Sequence, residues 1–481
     1  MAPVIGYQGR TLRTPRQQAD LAVRILDGRH RDDVIESMVR RLGRSRSNAI
    51  GVPDMSCNVL STFAGRLSVA FGHPPPLVTG LSAEYAALLG DASASVTVDR
   101  YALAKGRPLP TDTAYALGMA QRYWIGACWA GVYTRWVERH QRLVVEAVPP
   151  SQLDVRYTSD DPLEPTIVRR IAYRHPQNGA GMGLVETWDE WDLTDMVAPV
   201  YRVRGAQIDS GTGSMEYAPA PPLDIEELSG EAYPWRYDTG MPFCPIVIGG
   251  DPSRPHMTDT IIEGTLWACV TWSYFSAAMA DAGFPQRNVS GLRLTGQDAS
   301  TATGNEGIAV GPETVLRWEN VDPDRPGMFH QWTPGFDPEV VGRAAREYVS
   351  GILQALGLPT SLEQTGGAPT DLEAERLEHM VRQQYPMARR VAVEVLRRGA
   401  AILRSMSEAG DGPPGQPPSE QGYGVLFGEE VAQALAAVEP KTDTPREEEE
   451  TDGPAGAGSP TDTGRDRGGR SAAQSGATPA D

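Results

Sequence analysis

Residues 257–283 read MTDTIIEGTLWACVTWSYFSAAMADAG, and residues 336–359 read FDPEVVGRAAREYVSGILQALGLP. Between them lies an irregular, turn-rich insert running from FPQRNVSG (284–291) to FHQWTPG (329–335). After them the Gly-containing segment SLEQTGGAPTD (361–371) leads into a third helix that ends near Ser407. In the second helix Asp337 is a good N-cap, because its carboxylate can accept a first-turn N–H, and Pro338 suits the first helical position. Val341, Ala345, Tyr348, Ile352 and Leu356 recur at three- and four-residue steps and predict one apolar face. Gly357 and Pro359 predict the stop. The third helix opens with a capping-box pair, Thr370 and Glu373. It keeps its period through Leu377, Met380, Val381, Val391, Val395, Ile402 and Leu403, with a kink expected near Gln383–Pro386, where proline removes a backbone donor.

The first helix differs. From Ile261 to Ala280 its only charge is Glu263, which raises the question of a membrane span. Thr265, Thr271, Ser273 and Ser276 interrupt the run, and both flanks are acidic (Asp259, Asp281) with no Lys or Arg anchor. No membrane is therefore expected, and the better reading is a helix buried nearly all round, with neighbours on several sides. Copies of the same chain are among the candidates.

The rest of the chain predicts an α+β protein. Residues 1–17 read as a flexible arm. Gln18–Leu42 reads as a helix, with Leu21, Ile25, Val34, Ile35, Met38 and Leu42 as apolar positions. NVLSTFAGRLSVAFG (58–72) is a second helix and Asp112–Trp124 a third, before GACWAGVYTRWV turns to strand-like alternation. From Arg142 the period is two: RLVVEAVPP, QLDVRYT, TIVRRIAYR, GLVETWDEWDL and PVYRVRG are strands separated by turn residues. MPFCPIVIGG (241–250) predicts a short apolar strand just before the 257–283 helix, and GYGVLFG (422–428) a late strand returning to the sheet. From residue 438 onward large apolar side chains nearly vanish, which predicts a disordered acidic tail.

Charge and cysteine usage narrow the function. The 481-residue chain carries a formal −18, and residues 409–481, with 14 acidic and 5 basic side chains, account for −9 of it. That argues against a non-specific nucleic-acid binder acting by phosphate neutralisation. It leaves room for a channel past which DNA slides without sticking. Cys57, Cys128, Cys244 and Cys269 form no CxxC pair, and the scattered histidines have no metal-ligand spacing, so no metal and no cofactor is expected. The amino terminus has no basic-then-apolar secretion pattern, so the default location is the cytoplasm.

GAGMG (179–183) reads as a hairpin turn and not a nucleotide loop, since no following helix is predicted. No GxxxxGK[ST] and no GxSxG occurs. Glu186, Asp189, Glu190 and Asp192 raise the possibility of paired catalytic carboxylates. They fall on a strand with two tryptophans, and a solvated strand face is the expectation. No catalytic residue is assigned.

The order of these parts resembles the portal (head-to-tail connector) proteins of tailed bacteriophages, over roughly Gln18–Val438. NVLSTFAGRLSVAFG is similar to the family's wing helix. AVPPSQLDVRYTSDDPLEPTIVRRIAYR followed by ETWDEWDL resembles its wing sheet, and MPFCPIVIGGDPSRP resembles the strand leading into its stem. GILQALGLPTSLEQTGGAPTDLEAERLEHMV is the most specific segment. The resemblance implies a wing over 18–256, stem helices over 257–283 and 336–359, and a clip over 284–335. It further implies a tunnel loop over 360–371, a long kinked helix over 372–408 and a reduced crown over 409–437. It implies a homo-oligomeric ring, in the family usually a dodecamer, at one capsid vertex of a virion assembled in the host bacterial cytoplasm. Double-stranded DNA would thread its axis for packaging and ejection. The implied partners are the terminase large subunit, head-completion or neck proteins, and the major capsid or scaffold protein.

Ile262, Leu266, Val270, Tyr348 and Ile352 are then the expected subunit-packing positions, and Glu363, Gln364, Thr365, Gly366 and Gly367 the tunnel loop facing DNA. This loop departs from a basic DNA contact, since it holds no Lys or Arg. Another virion component, such as a capsid or neck protein, is the alternative of the same class. A carboxylate-dependent soluble enzyme is the alternative of a different class.

Overall fold

The computed structural model describes residues 5–6, 10–11, 15–42, 54–72, 75–90, 106–158, 164–176, 184–208, 218–219, 227–250, 256–283, 286–290, 292–294, 318–320, 328–332, 337–356, 371–413 and 416–436. The tunnel-loop residues Glu363–Gly367, the Thr370 cap and the acidic tail lie outside them.

The first helical layer is α1 (Pro15–Leu26), α2 (Arg31–Leu42), α3 (Val59–Leu67), α4 (Ala83–Leu89) and α5 (Thr111–Ala127). The helix expected over Gln18–Leu42 is in fact two helices. Gly28 at φ +72° reverses the chain between them, a backbone state that glycine adopts without steric cost. Leu21, Ile25, Val34, Ile35 and Met38 are nonetheless all buried, because each half keeps its own helical face inward. Asn58 caps α3 by accepting from Ser61 N at 2.9 Å.

Three sheets follow. Strands β1 (Leu77–Thr79) and β2 (Gly106–Pro108) pair with each other. Strand β3 (Trp129–Val137) is the centre of a second sheet, between β4 (Arg142–Val148) and a later strand. The third is an antiparallel meander of β5 (Leu153–Tyr157), β6 (Pro165–Pro176), β7 (Leu184–Asp192) and β8 (Val200–Ile208), extended by β9 (Glu227–Ser229) on β8. Every strand read from the period-two pattern is present. β6 and β7 pair antiparallel as far as Pro176↔Leu184, so GAGMG joins two neighbouring strands, although its own residues are outside the described set.

Strand β10 (Ile246–Gly250) completes the second sheet beside β3 and leads to α6 (His256–Gly283). The insert after α6 contains strands that its irregular composition hides: β11 (Gln286–Ser290), β12 (Leu292–Leu294), β13 (Trp318–Asn320) and β14 (Met328–Trp332). β11 pairs with β14, and β12 with β13, both antiparallel. The described residues of the insert therefore form two separate two-stranded antiparallel pairs.

α7 (Pro338–Ala355) returns along α6. A Cβ on Gly342 would meet Phe275 at 3.2 Å, and one on Gly264 would meet Ile352 at 3.0 Å, so the two helices run antiparallel in close contact. The expected kink in the third helix is sharper than a bend. α8 (Asp371–Arg382) ends, residues 383–384 turn, and α9 (Tyr385–Ala409) begins with proline in its first turn. The late strand β15 (Gly424–Leu426) pairs with β1 in the small first sheet and not with the meander. A short helix, α10 (Gly428–Ala436), follows it. The chain is thus α+β.

One apolar core joins α1, α3, α5, α6 and α9, and a second lies between the meander and β10, where Trp191, Leu153 and Ile246 are buried. Among the described residues no helix is long and apolar enough to cross a membrane.

Candidate functional site

The apolar helix α6 is the first place to look. Ile262, Leu266 and Val270 are each 1% exposed within a single chain. Their cover comes from this chain's own α1, α2, α3 and α7. The Ile262–Leu266–Val270 side is thus covered without a second copy, whereas Glu263, Trp267, Thr271 and Tyr274 are only half-buried and Met279 is 43% exposed, so within one chain the helix is not buried nearly all round as expected. The polar groups of α6 serve the same packing: Leu60 N donates to Thr265 Oγ1 at 3.1 Å, Asp54 N to Ser273 Oγ at 2.7 Å, and Ser276 Oγ to Asp54 Oδ2 at 3.1 Å. Buried hydroxyls that accept otherwise unpaired N–H groups explain why Thr and Ser interrupt an apolar run.

On α7 the buried line is Ala345, Val349 and Leu353. Ile352 is half-buried against Gly264, while Tyr348 is 37% exposed. The opposite line of α7, Val340, Ala344, Tyr348, Gly351 and Ala355, is small or apolar and exposed. Of the five expected packing residues, Tyr348 alone stands on this open line.

Two of the four carboxylates of β7 are not on a solvated face, while Asp192 is half-buried and the Glu186 side chain lies outside the described residues. Glu190 is 2% exposed and Asp189 is also buried. The period-two geometry of strands puts them on opposite faces, and each meets arginines that the sequence reading had not singled out. Asp154, Arg169, Glu190, Arg202 and Glu227 are successive partners across five strands, forming one row of alternating charge. Arg169 Nη1 lies 3.1 Å from Asp154, and its Nε donates to Glu190 Oε2. Arg202 Nη1 is 3.5 Å from Glu190 Oε1, and its Nε is 3.1 Å from Glu227.

On the other face Asp189 accepts from Tyr201 Oη at 3.0 Å and lies 3.8 Å from Arg170. Arg170 sits 4.3 Å over the Tyr133 ring and donates to Glu146 at 3.0 Å. Glu146 also accepts from Arg135 at 2.6 Å, so this group ties the meander to the β3–β4 sheet. Burial pushes the Asp189 carboxyl above its ordinary value, against the pull of Tyr201 and Arg170. Both oxygens of Glu190 are held by arginines, and Asp189 is held by a phenol. The arrangement is an ionic brace and leaves neither carboxylate poised over an open cleft.

A third buried polar cluster joins β10 to α9. Arg398 Nη1 donates to Ile246 O at 2.8 Å and Cys244 O at 2.5 Å, and its Nε donates to Glu394 Oε1 at 2.8 Å. Tyr237 Oη donates to the same carboxylate oxygen, and Arg397 stacks 3.9 Å over the Tyr237 ring. Burial alone would raise the Glu394 carboxyl, but Arg398, Tyr237 and Arg397 outweigh it and hold the group below its ordinary value. A charge this deep is tolerated because it is paired and hydrogen-bonded. Its effect is to fix the strand that precedes α6 onto α9. Among the described residues no group of three His, Cys, Asp or Glu could hold a metal ion. The tunnel-loop residues Glu363, Gln364, Thr365, Gly366 and Gly367 lie outside the described residues. No family model matches the chain, and no curated protein does.

Proposed function

We propose that this chain is a portal-type protein, a ring-forming conduit for double-stranded DNA at one vertex of a phage capsid. In this reading the insert docks the terminase large subunit and later the head-completion or neck proteins, and the outer rim meets the major capsid or scaffold protein. The observation that carries it is the unit formed by α6, the insert and α7. An antiparallel helix pair holds a paired β-extension at its tip and leads, through residues 357–370, into a broken long helix seated on the lead-in strand β10. The exposed small and apolar line of α7 supports lateral packing of copies.

In the carboxylate-enzyme alternative, Glu190 and Asp189 would first have to leave Arg169, Arg202 and Tyr201, which engage them. Mass measurement and negative-stain imaging of the purified chain test the proposal. A closed ring with a central channel is the expected result, and a stable monomer at micromolar concentration overturns it. Deleting Thr365–Ala368 should leave the ring intact and impair DNA packaging or retention. Loss of the ring on that deletion would make the loop structural instead.

A further inference from the structure

The break between α8 and α9 is weakly held by its own backbone. Pro386 has no N–H to donate. Gln383 N reaches His379 O at 3.0 Å, Gln384 N falls back to Val381 O at 2.9 Å, and the next described bond is Ala388 N to Gln384 O at 3.0 Å. α8 is held toward its end: Leu372 in its first turn is 58% exposed, while Leu377, Met380 and Val381 pack on the main core. The angle between the two helices thus depends on what grips the residues beside the break.

The chain's late segment supplies it from both sides of the break. Arg382, the last residue of α8, donates to Glu378 one turn back in its own helix at 3.1 and 2.6 Å, and reaches out of the helix to Glu429 at 2.7 Å. Arg389, in the second turn of α9, donates from Nη2 to both oxygens of Glu430 at 2.8 and 2.7 Å, and from Nε to Val425 O at 2.8 Å. Between these grips the Tyr385 ring lies 5.2 Å from that of Phe427, which is fully buried. A Cβ on Gly428 would sit 2.8 Å from the Tyr385 hydroxyl, so the segment passes close over the break. The segment is itself rooted: β15 is hydrogen-bonded to β1, and Val431 packs on Leu77.

We propose that β15 and α10 form a clasp that grips α8 through Arg382–Glu429 and α9 through Arg389–Glu430, and so sets the direction in which α8 leaves α9. Single exposed ion pairs are weak, and the clasp works because two pairs and one ring contact share a rooted segment.

Hydrogen exchange on the full-length chain tests this. In the double variant Glu429→Lys/Glu430→Lys, amides of residues 377–388 should exchange about tenfold faster, as expected when a local opening loses two charge contacts. Amides of β3 and β4 should stay unchanged. Unchanged exchange at 377–388 overturns the proposal, because the break then needs no clasp. Acceleration spread evenly over the whole chain also overturns it, because the segment then supports the fold and not the angle. A charge swap isolates the first grip. In a Glu378→Gln background, which removes the pair within α8, Arg382→Glu should loosen residues 377–388, and Arg382→Glu with Glu429→Arg should restore them to within about twofold. Failure of the swap to restore them overturns the Arg382–Glu429 assignment.

Discussion

Arg169 and Glu190 stand directly opposite each other on neighbouring antiparallel strands, and their side chains meet in an ion pair whose carboxylate is almost completely withdrawn from water. Arg202 approaches the same carboxylate from the next strand. Glu190 is thus the negative centre on which two cations depend.

Removing that centre should be expensive. Glu190→Gln leaves Arg169 and Arg202 facing a neutral amide in a buried position, and a loss of about 3 kcal/mol is expected. Asp154→Asn, at the exposed end of the same row, should lose less than about 1 kcal/mol. Urea denaturation of the two variants checks this, with the midpoint moving and the slope unchanged.

The acid limb of stability should depend on Glu394. Its carboxyl is held below the ordinary value of 4.5, so the folded state favours the ionised form. That contribution is present above the unfolded value and is lost as pH falls through the lowered one. Asp189 has the opposite sign: its raised value means that stability from this group declines as pH rises from 3.8 towards that value. Melting temperatures measured from pH 6 down to about 3 should show a shallower limb for Glu394→Gln and a steeper one for Asp189→Asn.

Gly399 lies inside α9, where alanine would ordinarily add about 1 kcal/mol of helix stability. Here a Cβ would fall 2.5 Å from the hydroxyl of Tyr85, which donates to Leu396 O at 2.5 Å. Gly399→Ala should therefore destabilise by about 1–3 kcal/mol through overpacking. In a Tyr85→Phe background the penalty should shrink, and a double-mutant cycle measures the coupling.

Ile262 and Tyr348 should separate folding from assembly. Ile262→Ala opens a cavity between α6 and its covering helices and should cost the monomer about 2–4 kcal/mol. Tyr348 is 37% exposed and keeps a contact within its own chain, so Tyr348→Glu should cost the monomer clearly less than Ile262→Ala. It should also shift the ring proposed above towards smaller species, read by native mass spectrometry. An unaltered ring would show that the open line of α7 is not a packing surface.

Much of the fold was legible because it is written locally. The Asp337 cap and Pro338 start α7 where the sequence says, with Asp337 accepting from Glu339 N at 2.9 Å. The meander follows from period two, and the interruption at Gln383–Pro386 follows from a proline that cannot donate. The Gly28 reversal carried a local signal in the Asp27–Gly28 pair, which the apolar period on either side overrode.

The insert strands and α10 were missed because short segments owe their pairing to distant partners. Gln286 needs Trp332 opposite it, and Leu77 needs Leu426.

The sequence by itself determined the longer helices, the strands of the meander and the order of the parts, since capping, periodicity and proline chemistry act between residues a few positions apart. Only the tertiary structure decided where the charges went and who covers whom. Register across β5 to β9 placed Glu190 between two arginines from other strands, turning a carboxylate that read as solvated into the buried centre of a charged row. Packing of α1, α2, α3 and α7 on α6 covered its Ile262–Leu266–Val270 side inside one chain. Both depend on residues that sequence distance separates and only the folded chain brings together.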